Sequence, residues 1–228
     1  MALIGVDGAG KTTVARALEG TLAIPAKYMY MGVNWEASDT LLPTTRLVRA
    51  IRRARGTVAE GGPPQRVDER RPGPLPKRVL GTVRGSLALA NRLAEEWYRQ
   101  LVVWSYVRKG VVVVFDRHFF SDYYAHDVVR QDGRPLGRRL HGFLLSRLYP
   151  KPDLVIFLDA PASVLRSRKS EGTLEALERR RNEYLELAER TPRFVTIDAN
   201  EPLDAVIGKV AATIESFAVR GSATGDRP

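Results

Sequence analysis

The sequence predicts a three-layer α/β fold, in which a five-stranded parallel sheet carries helices on both faces. Five short apolar segments alternate along the 228-residue chain with segments whose apolar residues recur every three or four positions. Strands that alternate with helices pair in parallel through right-handed crossovers, so this order indicates one sheet covered on both sides. The length suits a single domain, since compact domains commonly hold ~100–200 residues and α/β folds somewhat more.

The first half of the chain begins with an apolar run at residues 2–6, which predicts a buried strand that passes directly into a glycine-rich turn. Residues 11–22 predict a helix, because their apolar side chains recur at helical spacing. Residues 27–31 predict a weaker strand, and residues 41–55 predict a basic helix.

The second half begins with a long helical pattern at residues 78–109, in which Gly81 and Gly85 weaken the first turns. Continuous apolar runs then predict strands that are buried on both faces, at residues 111–115, 153–158 and 193–197. Helical spacing predicts further helices at residues 121–129, 136–149, 161–169, 173–189 and 203–217.

The composition excludes several classes of protein. The chain has no cysteine, so it contains no disulfide, thiolate metal site or thiol nucleophile, and it is compatible with a reducing compartment. Its longest strongly apolar run, residues 111–115, is far shorter than the ~20 residues that span a bilayer. No basic stretch precedes an apolar one at the amino terminus. We therefore expect a soluble, cytoplasmic protein.

The positive charge is concentrated in one segment. The formal net charge is +10, and residues 46–92 hold twelve basic and three acidic side chains, a net charge of +9. Residues 54–77 are rich in glycine, proline and arginine and have few apolar side chains, so we expect a mobile insertion in a single domain of residues 1–218. Residues 219–228 are expected to form a disordered tail. The basic segment could bind nucleic acid, contact a phosphorylated substrate, or be a solvated loop.

The turn after the first predicted strand has the pattern of a phosphate-binding loop, or P-loop. Residues 5–12 read GVDGAGKT, which satisfies G-x-x-x-x-G-K-[ST] between a strand and a helix, the context that the motif requires. The glycines let backbone N–H groups and the helix start face a phosphate, Lys11 can reach β- and γ-oxygens, and the Thr12 hydroxyl can hold Mg²⁺. The expected nucleotide-binding residues are Gly5, Asp7, Gly8, Ala9, Gly10, Lys11, Thr12 and Thr13, with ATP and Mg²⁺ as the cofactors.

The motif alone does not separate a kinase from a GTPase, an ATPase or a nucleic-acid motor. The Asn-Lys-x-Asp element that reads guanine is absent from the sequence, and a multidomain motor usually needs a longer chain. An aspartate at the carboxyl end of a buried parallel strand is well placed for Mg²⁺, so Asp116 is a second candidate metal ligand beside Thr12.

Five short motifs, in the expected order, resemble those of thymidylate kinases. They are VDGAGKTT at residues 6–13, FDRH at 115–118 followed by Ser121, FLD at 157–159, YLELA at 184–188 and TIDA at 196–199. The resemblance covers most of the chain but is interrupted between about residues 32 and 92. It implies transfer of the ATP γ-phosphoryl group to a nucleoside monophosphate, on a five-stranded parallel sheet, typically in a homodimer.

The resemblance also implies roles for individual residues. Asp7 matches a carboxylate that meets the sugar hydroxyl of the acceptor, and Arg117 matches an arginine near the acceptor phosphate. The alternative for Asp7 is that it is a solvated turn residue. The alternative for Asp116 and Arg117 is that they form an ion pair that holds a loop in place. Asp159 ends a strand and is expected to cap the helix that starts at Pro161.

Phosphoryl transfer also needs cations around the transferred group, usually from a lid. The candidates for this lid are Arg166, Arg168 and Lys169, and with Lys11 and Arg117 they make up the expected catalytic set. The run Arg179, Arg180 and Arg181 is interpreted as a solvated helical face.

Three departures from the family leave the acceptor open. Residues 31–36 replace the Arg-Glu-Pro-Gly-Gly element, and no arginine falls where the family reads thymine; Glu95 is the nearest residue by counting back from Asp116. The lid is about eight residues shorter. Other polar residues could bind the hydroxyls of a different nucleotide, a nucleoside or a sugar: Asp122, His126 and Asp127. Catalytic-base roles for His118, His126 and His141 have no supporting metal or charge pattern.

Three functions are compatible with these observations. The first is an ATP- and Mg²⁺-dependent kinase of a small acceptor, with thymidylate as the default among nucleoside monophosphates. The second is a nucleotide-dependent nucleic-acid-binding module based on residues 46–92. This segment lacks the interleaved aromatic side chains on which the bases of single-stranded nucleic acids stack. The third is a P-loop protein that binds nucleotide without chemistry. We favour the first, with no membrane partner and no nucleic-acid partner. In the basic insertion, Arg66, Arg70 and Arg71 could fold over an anionic acceptor or have no role.

Overall fold

A computed structural model describes residues 1–32, 40–54, 75–118, 140, 142–144, 147–170 and 172–223. Its five strands are β1 (Ala2–Gly5), β2 (Ala26–Tyr30), β3 (Val112–Asp116), β4 (Val155–Asp159) and β5 (Phe194–Asp198). Its helices are α1 (Lys11–Thr21), α2 (Pro43–Ala54), α3 (Leu75–Arg108), α4 (Ala162–Arg168), α5 (Leu174–Ala188) and α6 (Leu203–Ala223).

The strands form one parallel sheet in the order β2-β3-β1-β4-β5, which confirms the predicted α/β fold. The central strand β1 is buried at every residue, so both faces of the sheet are covered at its centre. Helices α1 and α6 pack against each other, α3 packs on β3, and α4 packs on α5. The loops that follow β1, β3 and β4 therefore lie at one edge of the sheet, where open α/β sheets bind their ligands.

Two predicted boundaries differ most from the structure. Helix α3 begins at Leu75 rather than at residue 78, so residues 75–77, which were assigned to the insertion, form its first turn. Pro76 is tolerated there because N–H groups in the first turn have no partner within the helix. Helix α6 continues to Ala223, although the sequence predicts a tail from residue 219. Its last turns are supported by the Arg220 side chain, whose Nε donates to the Ser216 carbonyl at 3.3 Å.

Several predicted elements lie outside the described residues. These are residues 55–74 of the insertion, the helix at 121–129, residues 136–139 of the next helix, and the tail at 224–228. Among the described residues, no helix is long and apolar enough to cross a membrane.

Candidate active site

The P-loop joins the carboxyl end of β1 to the start of α1. Gly10 caps α1 with a left-handed backbone, at φ +82°, and no side chain in the described part of the chain caps this helix end. The N–H groups in the first turn of α1 therefore donate to no capping side chain. They form the positive end of the helix dipole. This geometry suits a phosphate group.

Gly8 is packed tightly under helix α4. Its φ is +93°, and a Cβ atom at this position would lie 2.6 Å from the backbone oxygen of Leu165. Only glycine fits both the backbone conformation and the space. The P-loop is therefore held in shape by packing against α4 as well as by its own turns.

Lys11 is the first residue of α1, and its side chain reaches back to the loop. Its side chain is only 6% exposed, and Nζ donates to the Val6 carbonyl at 2.8 Å and lies 3.8 Å from Oδ1 of Asp7. The ammonium group is thus held next to the backbone that curls around the phosphate position. A nearby phosphate oxygen would be a stronger partner for it than a neutral carbonyl.

Asp7 and Arg117 form an ion pair between the P-loop and the residue after β3. Arg117 Nη2 donates to Asp7 Oδ1, and the left-handed backbone of Arg117, at φ +66°, turns the chain just after Asp116. Burial acts to raise the pKa of Asp7, but Arg117, and then Lys11, outweigh it, so this pKa lies below its ordinary value of 3.8. Arg180 adds to this lowering from helix α5.

The Asp7–Arg117 pair bears on the two alternatives raised by the sequence, a solvated Asp7 and an ion pair between Asp116 and Arg117. Arg117 pairs with Asp7, and the structure shows no ion pair between Arg117 and Asp116 among the residues it describes. Asp7 is also more than a solvated turn residue, since it contacts both cations.

Asp116 faces the start of helix α1. It is 1% exposed, and its Oδ2 accepts hydrogen bonds from Thr12 Oγ1 at 2.6 Å and from the Tyr28 hydroxyl at 3.2 Å. Burial, followed by the charge of Asp116, raises the pKa of Tyr28 to about 12, so the phenol stays a donor near neutral pH. The other oxygen, Oδ1, is buried with no hydrogen-bond partner in the described residues.

These groups fit Mg²⁺. A buried carboxylate oxygen that lacks a partner is costly, and a hydrated cation or its water would satisfy it. No group of three or more His, Cys, Asp or Glu side chains among the described residues could enclose a metal. One hydroxyl and one carboxylate are typical of Mg²⁺ that is bound together with nucleotide phosphates.

A cavity of about 270 Å³ lies beside the P-loop. It is partly apolar, and Arg168 contributes a guanidinium whose Nη1 donates to the Ala199 carbonyl at 2.8 Å. Its lining comprises Gly8, Ala9, Gly10, Thr13, Val14, Arg168, Ala199, Glu201, Leu203 and Val206. All three expected lid cations are exposed, and the structure brings Arg168, but not Arg166 or Lys169, to the lining of this cavity.

Asp159 does not cap helix α4. The cap residue is Pro161, with no side-chain cap bond, and Asp159 instead accepts from Arg181 Nε at 2.6 Å and from Nη2 at 2.8 Å. The pair ties β4 to α5, and these hydrogen bonds raise the pKa of Arg181 above its ordinary value. The prediction that the run containing Arg181 is only a solvated face is therefore wrong at this residue.

Helix α3 carries a cluster of buried polar side chains. Glu95 is 1% exposed, and both of its carboxylate oxygens lie 3.2 Å from the Leu42 N–H that donates to them. Arg99, one turn further along, is fully buried and donates to the carbonyls of Gly32 and Thr40, each at 3.2 Å. The Glu95 carboxylate is thus already engaged by the protein backbone.

His118 is packed into the core. Its ring lies 5.2 Å from that of Phe115 and 5.9 Å from that of Tyr149, and burial lowers its pKa to about 3. The side chain is neutral near pH 7 and 2% exposed, which argues against a catalytic base. The other polar candidates lie outside the described residues: Asp122, His126, Asp127, His141, Arg66, Arg70 and Arg71.

The fold and this edge of the sheet define an α/β protein of the P-loop class. The thymidylate kinase family model matches residues 83–210, which is more than half of the chain and begins beyond the P-loop. A protein of Archaeoglobus fulgidus named probable thymidylate kinase is 34% identical over 118 residues, which cover 49% of this chain and 57% of that protein. The chain therefore spans little more than half the length of that relative.

The chain belongs to the thymidylate kinase family, a family of phosphotransferases. The matched region contains Asp116, Arg117 and the α4–α5 region, and the P-loop lies amino-terminal to it. The motif and the family match are thus separate observations that agree.

Proposed function

We propose that the protein transfers the γ-phosphoryl group of ATP to a nucleoside monophosphate, with thymidylate as the first candidate acceptor. One observation carries the proposal: the Thr12–Asp116 hydrogen bond and the Asp7–Arg117 ion pair join the P-loop region to two consecutive residues at the carboxyl end of β3. The first pair suits a cation bound with the donor, and the second suits a second, anionic molecule.

On the donor side, the P-loop amides and Lys11 bind the β- and γ-phosphates. Lys11 exchanges the Val6 carbonyl for phosphate oxygens and so neutralises charge where it develops. Thr12 and Asp116 would hold Mg²⁺, which would neutralise negative charge on the nucleotide phosphates. The partly apolar cavity next to Gly10 receives the nucleoside, and Arg168 lies at its wall.

On the acceptor side, Asp7 and Arg117 have different roles. The lowered pKa of Asp7 keeps it a carboxylate, which can accept a hydrogen bond from a sugar hydroxyl. Arg117 binds the acceptor phosphate through its guanidinium fork. Arg166, Arg168 and Lys169 remain the candidate cations of a lid.

The acceptor base is open to test because Glu95 is engaged by Leu42. The assay is γ-phosphoryl transfer from ATP to a panel of nucleoside monophosphates, nucleosides and sugars. We expect a nucleoside monophosphate to be the preferred acceptor, with Arg117→Ala losing on the order of 2–4 kcal/mol of acceptor-dependent transition-state stabilisation. Transfer only to a nucleoside or a sugar would favour the alternative kinase. A salt titration with unrelated DNA tests the nucleic-acid-binding alternative.

We also propose that the protein acts as a homodimer through helix α3. Trp97, Leu101 and Val107 are 37%, 57% and 54% exposed in the described structure and fall within about 120° on this helix. A second copy would cover this apolar strip. Sedimentation velocity should find a dimer that Leu101→Lys converts to a monomer, and a monomeric parent protein would refute this assembly.

A further inference from the structure

Tyr28 is joined to the candidate metal site by its hydroxyl group. It lies on β2, where its register partner on β3 is Val114, and Asp116 is two residues further along β3 on the same face. The hydroxyl reaches Oδ2 of Asp116 at 3.2 Å. None of the sequence motifs includes this residue.

Tyr28 is held in place through its backbone and through its ring. Its backbone N–H donates to Glu19 Oε1 at 2.8 Å, and the Arg16 guanidinium lies 5.3 Å from the centre of its ring. Arg16 follows Thr12 by one helical turn on α1, so one face of α1 contacts both the tyrosine and the carboxylate. The phenol is therefore part of the packing between α1 and β2.

The hydrogen bonds at Asp116 fix the role of each oxygen. Thr12 has one hydroxyl proton, and it is donated to Oδ2, so only lone pairs of Thr12 Oγ1 remain available to a cation. Tyr28 donates to the same Oδ2 and leaves Oδ1 without a partner in the described part of the protein. Without the phenol, the carboxylate could rotate and offer either oxygen to Thr12.

We propose that Tyr28 is a positioning residue, which holds the Asp116 carboxylate so that Oδ1 and the Thr12 hydroxyl oxygen are both presented to Mg²⁺. The proposal rests on the proposed function only in taking Mg²⁺–nucleotide as the ligand. Partners of metal ligands outside the coordination shell commonly change metal affinity by about 10- to 100-fold. The Tyr28 bond is long, so its effect should lie at the lower end of this range.

The test is Tyr28→Phe, which removes the hydroxyl and keeps the ring under Arg16. A fluorescent ADP analogue is titrated with protein in excess EDTA and then at a series of Mg²⁺ concentrations, with no acceptor present. We expect the Mg²⁺ concentration for half-maximal enhancement of binding to rise about tenfold, while the affinity in EDTA stays unchanged. Tyr106→Phe, which removes a phenol from α3, should match the parent protein in both conditions.

Two results would overturn the proposal: an unchanged Mg²⁺ midpoint in Tyr28→Phe, or equal losses of affinity with and without Mg²⁺, which indicate a structural role alone. A circular dichroism melt checks that the variant is folded. The readout requires no turnover, so it separates this proposal from the proposed function. If the parent protein binds Mg²⁺–nucleotide but phosphorylates no acceptor, the function fails while the role of Tyr28 is still measured.

Discussion

Alanine substitutions at three glycines test how the P-loop packs against the rest of the fold. Gly8, Gly10 and Gly20 are each changed to alanine, and their surroundings differ in a useful way. Gly8 has a positive φ and no room for a Cβ, Gly10 has a positive φ and open space, and Gly20 lies in helix α1 with open space.

The expected losses follow from these differences. A left-handed backbone costs an alanine roughly 1–2 kcal/mol, so Gly10→Ala should lose about that much. Gly8→Ala carries a similar cost, and its Cβ would also lie 2.6 Å from the Leu165 oxygen, an overlap that adds about 1–3 kcal/mol when α4 is forced away. Gly20→Ala has neither cost and should gain about 0.5–1 kcal/mol from helix propensity.

Urea unfolding followed by circular dichroism measures the three free energies of unfolding. The expected order of stability is Gly20→Ala, the parent protein, Gly10→Ala and then Gly8→Ala. Equal losses for Gly8→Ala and Gly10→Ala would refute the claim that α4 packs against the P-loop at Gly8. A destabilising Gly20→Ala would refute the assignment of that position to an unobstructed helix.

Two further predictions concern the supporting structure. The His118 imidazole, with a pKa of about 3 in the folded protein and 6.5 as its ordinary value, takes up a proton on unfolding once the pH falls below 6.5. Its contribution to stability should therefore fall by about 2 kcal/mol between pH 6.5 and pH 5, and His118→Phe should flatten this part of a stability–pH curve; an unchanged slope would contradict the burial of the neutral ring. Arg181→Lys loses the two-pronged contact with Asp159 and should lower the free energy of unfolding by about 1 kcal/mol, whereas Arg179→Lys on the exposed side of the same helix should not. Equal effects of these two substitutions in urea unfolding would mean that the Arg181 pair contributes nothing.

The sheet and the P-loop could be predicted because their signals are local. Residues 111–115 are a continuous apolar run that only a doubly covered strand buries well, and the GKT sequence stands between a strand and a helix. The ends of helices are harder to predict, as at Ala223, because the helix propensity of only a few residues decides where a helix stops.

The contacts between distant elements could not be predicted. Asp159 follows its strand directly before a helix, so capping was the natural local expectation, but a guanidinium 22 residues away on α5 binds it. The Tyr28–Asp116 bond depends on the register between β2 and β3, which no short motif encodes. The burial of Arg99 likewise requires knowing that α3 packs against Gly32 and Thr40.

The most direct test of the account compares γ-phosphoryl transfer by the parent protein, Lys11→Ala and Lys109→Ala, with labelled ATP, Mg²⁺ and the best nucleoside monophosphate acceptor. Lys11 is buried at the start of α1 and Lys109 is exposed beyond α3. The account predicts that the parent protein and Lys109→Ala transfer the label at the same rate, and that Lys11→Ala, folded by circular dichroism, has lost at least ~10³-fold. Undiminished transfer by Lys11→Ala, or none by the folded parent protein to any nucleoside monophosphate, would contradict it.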